Sequence, residues 1–196
     1  MKHRTVLVTV GILTTSLVLA GCSMQGMDMG SSSGTSPSAS ASSASAHNDS
    51  DIAFANQMIP HHQQAVEMAD IVLAKTGVDS RVIDLAKQIK AAQDPEIVTM
   101  TGWLKTWGQP SPAAMGGMAM NGMMSQADMD ALKNASGPDS SKLFLQQMTQ
   151  HHQGAIDMAN EELSSGKDAA ALALAKKIVA AQTAEIATMK GLLASM

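Results

Sequence analysis

Two stretches hold most of the side chains that could do chemistry. They read "FANQMIPHHQQAVEMA" from Phe54 to Ala69 and "FLQQMTQHHQGAIDMA" from Phe144 to Ala159. Four of the six histidines stand in them as adjacent pairs, His61/His62 and His151/His152. Met58 and Met148 precede the pairs by three or four residues, and Met68 and Met158 follow by six or seven. Imidazole and thioether together select Cu(I), and by analogy Ag(I), over hard cations. Zinc would accept the histidines but gains little from methionine.

These donors need helices to aim them. At about 100° per residue, Met58, His61, His62, Met68 and Val72 share one face, as do Met148, His151, His152 and Met158. The histidines therefore lie on the apolar stripe. Downstream of each pair a second helical stretch places Gln93, Glu96 and Met100, then Gln182, Glu185 and Met189, on one face. Met100 and Met189 are additional candidate ligands. Glu96 and Glu185, with Gln93 and Gln182, suit the outer role of orienting an imidazole through its other nitrogen. The competing reading is a satisfied core network, with His bonded to Glu, Gln bridging and Met filling gaps. A di-iron enzyme would need about four inward carboxylates and Glu-x-x-His pairs; here only Glu96 and Glu185 point inward, and no Glu has a His three residues on.

Apolar periodicity and punctuation predict four long helices, over about 51–75, 80–107, 139–165 and 168–196, with a short one over 125–135. Ser50 or Asp49 is the expected first N-cap. Pro60 falls inside the first helix, where it frees the Asn56 carbonyl, and a local kink re-aiming His61/His62 is expected. "AKQIKAAQDPEIVTM" at 86–100 aligns with "AKKIVAAQTAEIATM" at 175–189, so the chain repeats, about 51–107 and 139–196, around a Met-rich loop over 108–138. Two such αα-hairpins bury their faces as an all-α four-helix bundle over 49–196. The loop is long enough for a ferritin-like crossover, and up-down connectivity stays open.

Eight of the seventeen methionines cluster outside the predicted long helices. Met24, Met27 and Met29 form one group; Met115, Met118, Met120, Met123 and Met124 form another on Gly-rich backbone. There they suit the capture of soft ions, the alternative being an oxidant sink. Trp103 and Trp107 are expected to close the end of the bundle.

Residues 1–21 read as a secretory leader, with Lys2 and Arg4 ahead of an apolar stretch. "LAGC" at 19–22 resembles the bacterial lipobox, which implies cleavage before Cys22 and lipid on that cysteine, the only one in the chain. Residues 22–48, rich in Ser, Ala and Met, are expected to be a disordered tether. Loss of Lys2 and Arg4 takes the net charge from -4 to -6. An acidic chain with two Trp, two Phe and no Tyr lacks the basic footprint and stacking platforms of nucleic-acid binders.

On the doubled Met-x-x-His-His core, about Asp51 to Met196 resembles the bacterial domain-of-unknown-function 305 family. The resemblance implies a ferritin-like bundle in exported proteins, linked to copper or silver binding and tolerance. It carries the ligand role onto Met58, His61, His62, Met68, Met148, His151, His152 and Met158. The expectation is a lipid-anchored, extracytoplasmic, non-catalytic Cu(I) or Ag(I) protein that sequesters metal or exchanges it with a partner protein. The alternatives are a ferritin-like oxidoreductase and a structural lipoprotein.

Overall fold

The structure, a computed structural model, describes residues 47–110, 112 and 121–196. The expected leader, Cys22, nearly all of the tether, and Met115, Met118 and Met120 lie outside the described residues. The described residues form five helices: α1 (Asp49–Leu73), α2 (Ser80–Thr106), α3 (Gln126–Asn134), α4 (Gly137–Ser165) and α5 (Ala169–Ala194). Among the described residues there is no strand, and no helix is long and apolar enough to cross a membrane.

Asn48, rather than Ser50 or Asp49, caps α1. Its side chain accepts from the Ser50 and Asp51 amides, and the Asp51 carboxylate takes the Asn48 amide in return. That reciprocal box satisfies donors a helix start leaves unpaired. Ser125 and Asp128 build the same box on α3. α1 continues unbroken through Pro60, and α2 through Pro95. A proline removes a single ladder donor, and a helix of 25 residues keeps the rest. Gly77, with φ +77°, takes the turn between α1 and α2.

Hydrogen bonds between helix ends fix the directions. The Asn48 side-chain amide donates to the Ser165 carbonyl at 2.8 Å, tying the start of α1 to the end of α4. Arg81 donates to Ser195 Oγ at 2.9 Å, tying the start of α2 to the end of α5. Lys75 reaches the Lys133 and Ala135 carbonyls, just ahead of α4. α1 is therefore antiparallel to α4, and α2 to α5, so α2 and α4 run the same way. The chain crosses the bundle lengthwise between the two hairpins.

Each hairpin also grips the turn of the other. Asp51 Oδ1 accepts the Lys167 and Asp168 amides at 3.0 and 2.9 Å. Ninety residues on, Ser141 Oγ accepts the Asp79 amide at 3.0 Å.

The apolar core falls into two clusters. One holds Met68, Val72, Leu85, Ile89, Phe144, Met148 and Met189. The other holds Phe54, Met58, Ile59, Met100, Met158 and Ile178. Between them every long helix contributes buried or half-buried polar residues: His61/His62, Gln93/Glu96, His151/His152 and Gln182/Glu185. The bundle is two apolar compartments separated by one polar layer.

Candidate metal centre

The four histidines of that layer are at most 1% exposed. His61 from α1 and His151 from α4 face each other with ring centroids 3.7 Å apart and planes 37° from parallel. The outer histidine of each pair is held by its own hairpin. His62 Nε2 donates to Glu96 Oε2 at 3.0 Å, and His152 Nε2 to Glu185 Oε2 at 2.7 Å. A carboxylate on Nε2 assigns the proton there and leaves Nδ1 with the lone pair. Glu96 is shared, because Lys177 of α5 meets its Oε1 at 3.2 Å. The residue matching Lys177 in the first repeat is Gln88, which is uncharged.

Electrostatics disfavour charge on His61, His62 and His151. Burial, with the charges of His62 and His152 nearby, pushes His61 down to about 3. Burial and the other three imidazoles hold His151 well below the ordinary histidine range. Burial lowers His62 as well, against the opposing pull of Glu96. Burial raises the Glu96 carboxyl, but His62 and Lys177 outweigh it and hold the group below its ordinary value.

Both nitrogens of His61 and His151, and Nδ1 of His62 and His152, make no well-formed hydrogen bond; the Asn121 backbone beside His61 and the His61 backbone beside His151 approach without completing one. The side-chain carbonyls of Gln93 and Gln182 lack one too. A buried polar atom left unpaired costs about 1–3 kcal/mol. The bland alternative, a fully satisfied core network, therefore describes only the His62–Glu96 and His152–Glu185 halves of the layer. What remains is a set of desolvated imidazole nitrogens, and a neutral imidazole nitrogen is the form in which histidine binds a metal. Among the described residues no three His, Cys, Asp or Glu side chains are gathered in chelating geometry around a single point. Thioethers and the Gln93 and Gln182 carbonyls are the other donors beside the layer.

The methionines stand above and below the histidines. Met58, Met100 and Met158 belong to one apolar compartment, and Met68, Met148 and Met189 to the other. All six are buried. Each compartment receives one member of each repeated pair, Met58/Met148, Met68/Met158 and Met100/Met189. Thr149 donates weakly to Met189 Sδ at 3.8 Å. Of the loop methionines, Met124 is core, and its amide and carbonyl are both bonded by the Gln64 side chain. Met123 is half-buried. Trp103 and Trp107 stack at 5.9 Å, and His47 lies over Trp107 at 4.7 Å, outside the histidine layer.

Sequence reasoning passed over Gln64, Gly154 and Lys177. The first two stand at matching places in "HHQQ" and "HHQG", so the one visible signal was a difference between the repeats. Glu162, buried against the Asp51 carboxyl, carried no motif at all.

Residues 51–193 match the model of a family described as a domain of unknown function, DUF305. The chain is similar to a crystallised putative secreted DUF305 protein from Streptomyces coelicolor, at 37% identity and a TM-score of 0.69 over 74% of this chain and 91% of that one. A DUF305 fragment from Deinococcus radiodurans is 30% identical with a TM-score of 0.69, over 76% and 98% of the two chains. CopM in its Cu(I)-bound form is 31% identical with a TM-score of 0.64, over 74% and 96%; CopM has also been crystallised with Cu(II) and with Ag. No curated protein matches the chain. A family match spanning the whole helical region, and relatives above 30% identity with the same fold, place this chain in the DUF305 family.

Proposed function

We propose that this chain is an extracytoplasmic, membrane-tethered protein that binds Cu(I), with Ag(I) as a substitute, and sequesters it or hands it to a partner protein without catalysing a reaction. The observation that carries this reading is the buried layer in which His61, His62, His151 and His152 keep ring nitrogens that make no well-formed hydrogen bond. Six buried thioethers adjoin the layer, three in each compartment. Nitrogen and sulfur donors without a thiolate or a free carboxylate favour a soft monovalent ion. The copper- and silver-bound structures of CopM, at about a third identity, support the same cargo. Glu96 and Glu185 orient the outer imidazoles and raise their basicity as ligands. The lipid anchor rests on "LAGC" at 19–22; intact mass of the membrane-extracted protein, with and without Cys22→Ala, tests it.

The cargo is tested by competitive anaerobic titration with a chromophoric Cu(I) chelator. His61→Ala with His151→Ala should lose the tightest site and leave weaker binding on the loop methionines. Unchanged affinity in the double variant would sink the assignment.

A further inference from the structure

A fully buried ligand layer needs a way in. One cavity of about 130 Å³ opens beside the start of α1 and the end of α4. Phe54 and Met158 line it within, Asp49 and Glu161 stand at its exposed edge, and Glu162 forms part of its wall. Glu162 is 1% exposed, and apart from the neighbouring Asp51 carboxyl neither of its oxygens has a hydrogen-bond partner. Met158 shares its compartment with Met58, and Met58 lies one helical turn before His61 and His62 on the same face.

The internal repeat supplies a control for this cavity at the other end of the bundle. With an offset of ninety residues, Asp49, Ser50, Phe54 and Gln57 recur as Asp139, Ser140, Phe144 and Gln147, and Met158 corresponds to Met68. Three lining positions change character. Ala53 becomes Leu143, while Glu161 and Glu162 correspond to Ile71 and Val72. There the apolar set packs with Met129 and Leu132 of α3. Gln147 holds α3 in place by donating to the Asp128 carbonyl at 2.9 Å. The matching place at one end of a near-symmetric bundle is thus filled and covered; at the other end it is open, lined by carboxyls and backed by a thioether.

We propose that the cavity between Asp49 and Glu162 is the port through which a soft monovalent cation enters, drawn by Asp49 and Glu161, and passes to the Met158 and Met58 thioethers on its way to the histidine layer. This deepens the metal-binding reading and rests on it. Acidic side chains at the mouth raise the local cation concentration and make capture dependent on ionic strength. Sulfur at the inner wall then retains a soft ion and lets a hard one go.

The test measures a rate alongside an affinity. The full chain is mixed rapidly with Ag(I), quenched at timed intervals on a chelating resin, and assayed for protein-bound silver. Ala53→Leu with Glu161→Ile and Glu162→Val copies the filled end, and should slow uptake at least tenfold while the final affinity stays within about twofold. Asp49→Asn with Glu161→Gln keeps the cavity and removes the mouth charges. It should slow uptake severalfold at low salt and flatten its dependence on ionic strength. Uptake within twofold of the unaltered chain in both variants would overturn the port and leave metal binding standing. An unaltered chain that binds no Ag(I) would overturn both.

Discussion

At the scale of single residues, the histidine layer makes the protein sensitive to acid in a predictable direction. Burial holds His61 at about 3, against an ordinary 6.5, and His151 is lowered in the same sense. As pH falls below 6.5 the unfolded chain takes up protons that the folded chain refuses. The contribution of these groups is therefore present above 6.5 and is lost progressively below it, by on the order of 1 kcal/mol per pH unit for one such group. Denaturant titrations between pH 7 and pH 4 should show this slope, and His61→Ala with His151→Ala should flatten it. An equally steep slope in the variant would mean that the rings are not buried neutral. The residue types and their 3.6 periodicity made the inward histidines and the Glu96 and Glu185 partners readable in advance. The split of the methionines into two compartments was not readable, because one helical face extends over both. Only the antiparallel pairing of α1 with α4 sets Met58 level with Met158 and Met68 level with Met148.

At the scale of elements, the segment entering α3 is fixed by a difference between the repeats. Gln64 bonds the amide of Met124 at 2.7 Å and its carbonyl at 2.9 Å. Gly154, at the matching place on α4, gives the same segment room. A Cβ on Gly154 would collide with the Asn121 carbonyl, and Gly122 approaches so closely that its own Cβ would lie 2.7 Å from the Gly154 Cα. Both obstacles are backbone, so no rotamer relieves them. Gly154→Ala should lift the segment off α4 and cost about 1–3 kcal/mol, read as a fall in denaturation midpoint. Hydrogen exchange should rise over 121–134 and remain unchanged in α5. Gly191→Ala is the control, since a Cβ there meets nothing within 4 Å. The helices themselves were legible from periodicity to within a few residues. The Asn48 cap was not singled out because Asp49 and Ser50, which follow it, are equally good capping types.

At the scale of the whole molecule, the repeat predicts two equal ends, and the sequence departs from that rule at a few positions. Asp51 and Ser141 perform the same clamp, but only Asp51 brings a charge. It faces Glu162 where the other end has Val72. Burial, then the neighbouring Asp51 and Asp168, push the Glu162 carboxyl up to about 8 from an ordinary 4.5. Asp51 stays below its ordinary value: burial opposes this, but the amides of Asn48, Asp168 and Lys167 and the Glu162 side chain prevail. At neutral pH the pair therefore holds a proton on Glu162. Because the folded value is raised, its stabilising contribution is complete below 4.5 and is lost as pH rises toward 8, when two buried carboxylates would face each other. Glu162→Gln keeps the volume and carries no titrating group. Its unfolding free energy should be insensitive to this loss, so the variant gains on the unaltered chain between pH 5 and pH 9. The gain should reach a plateau above about 8, once Glu162 is ionised in both states. Parallel pH profiles of the two proteins would show that Glu162 is already ionised at neutral pH and that the acid pair is solvated rather than buried.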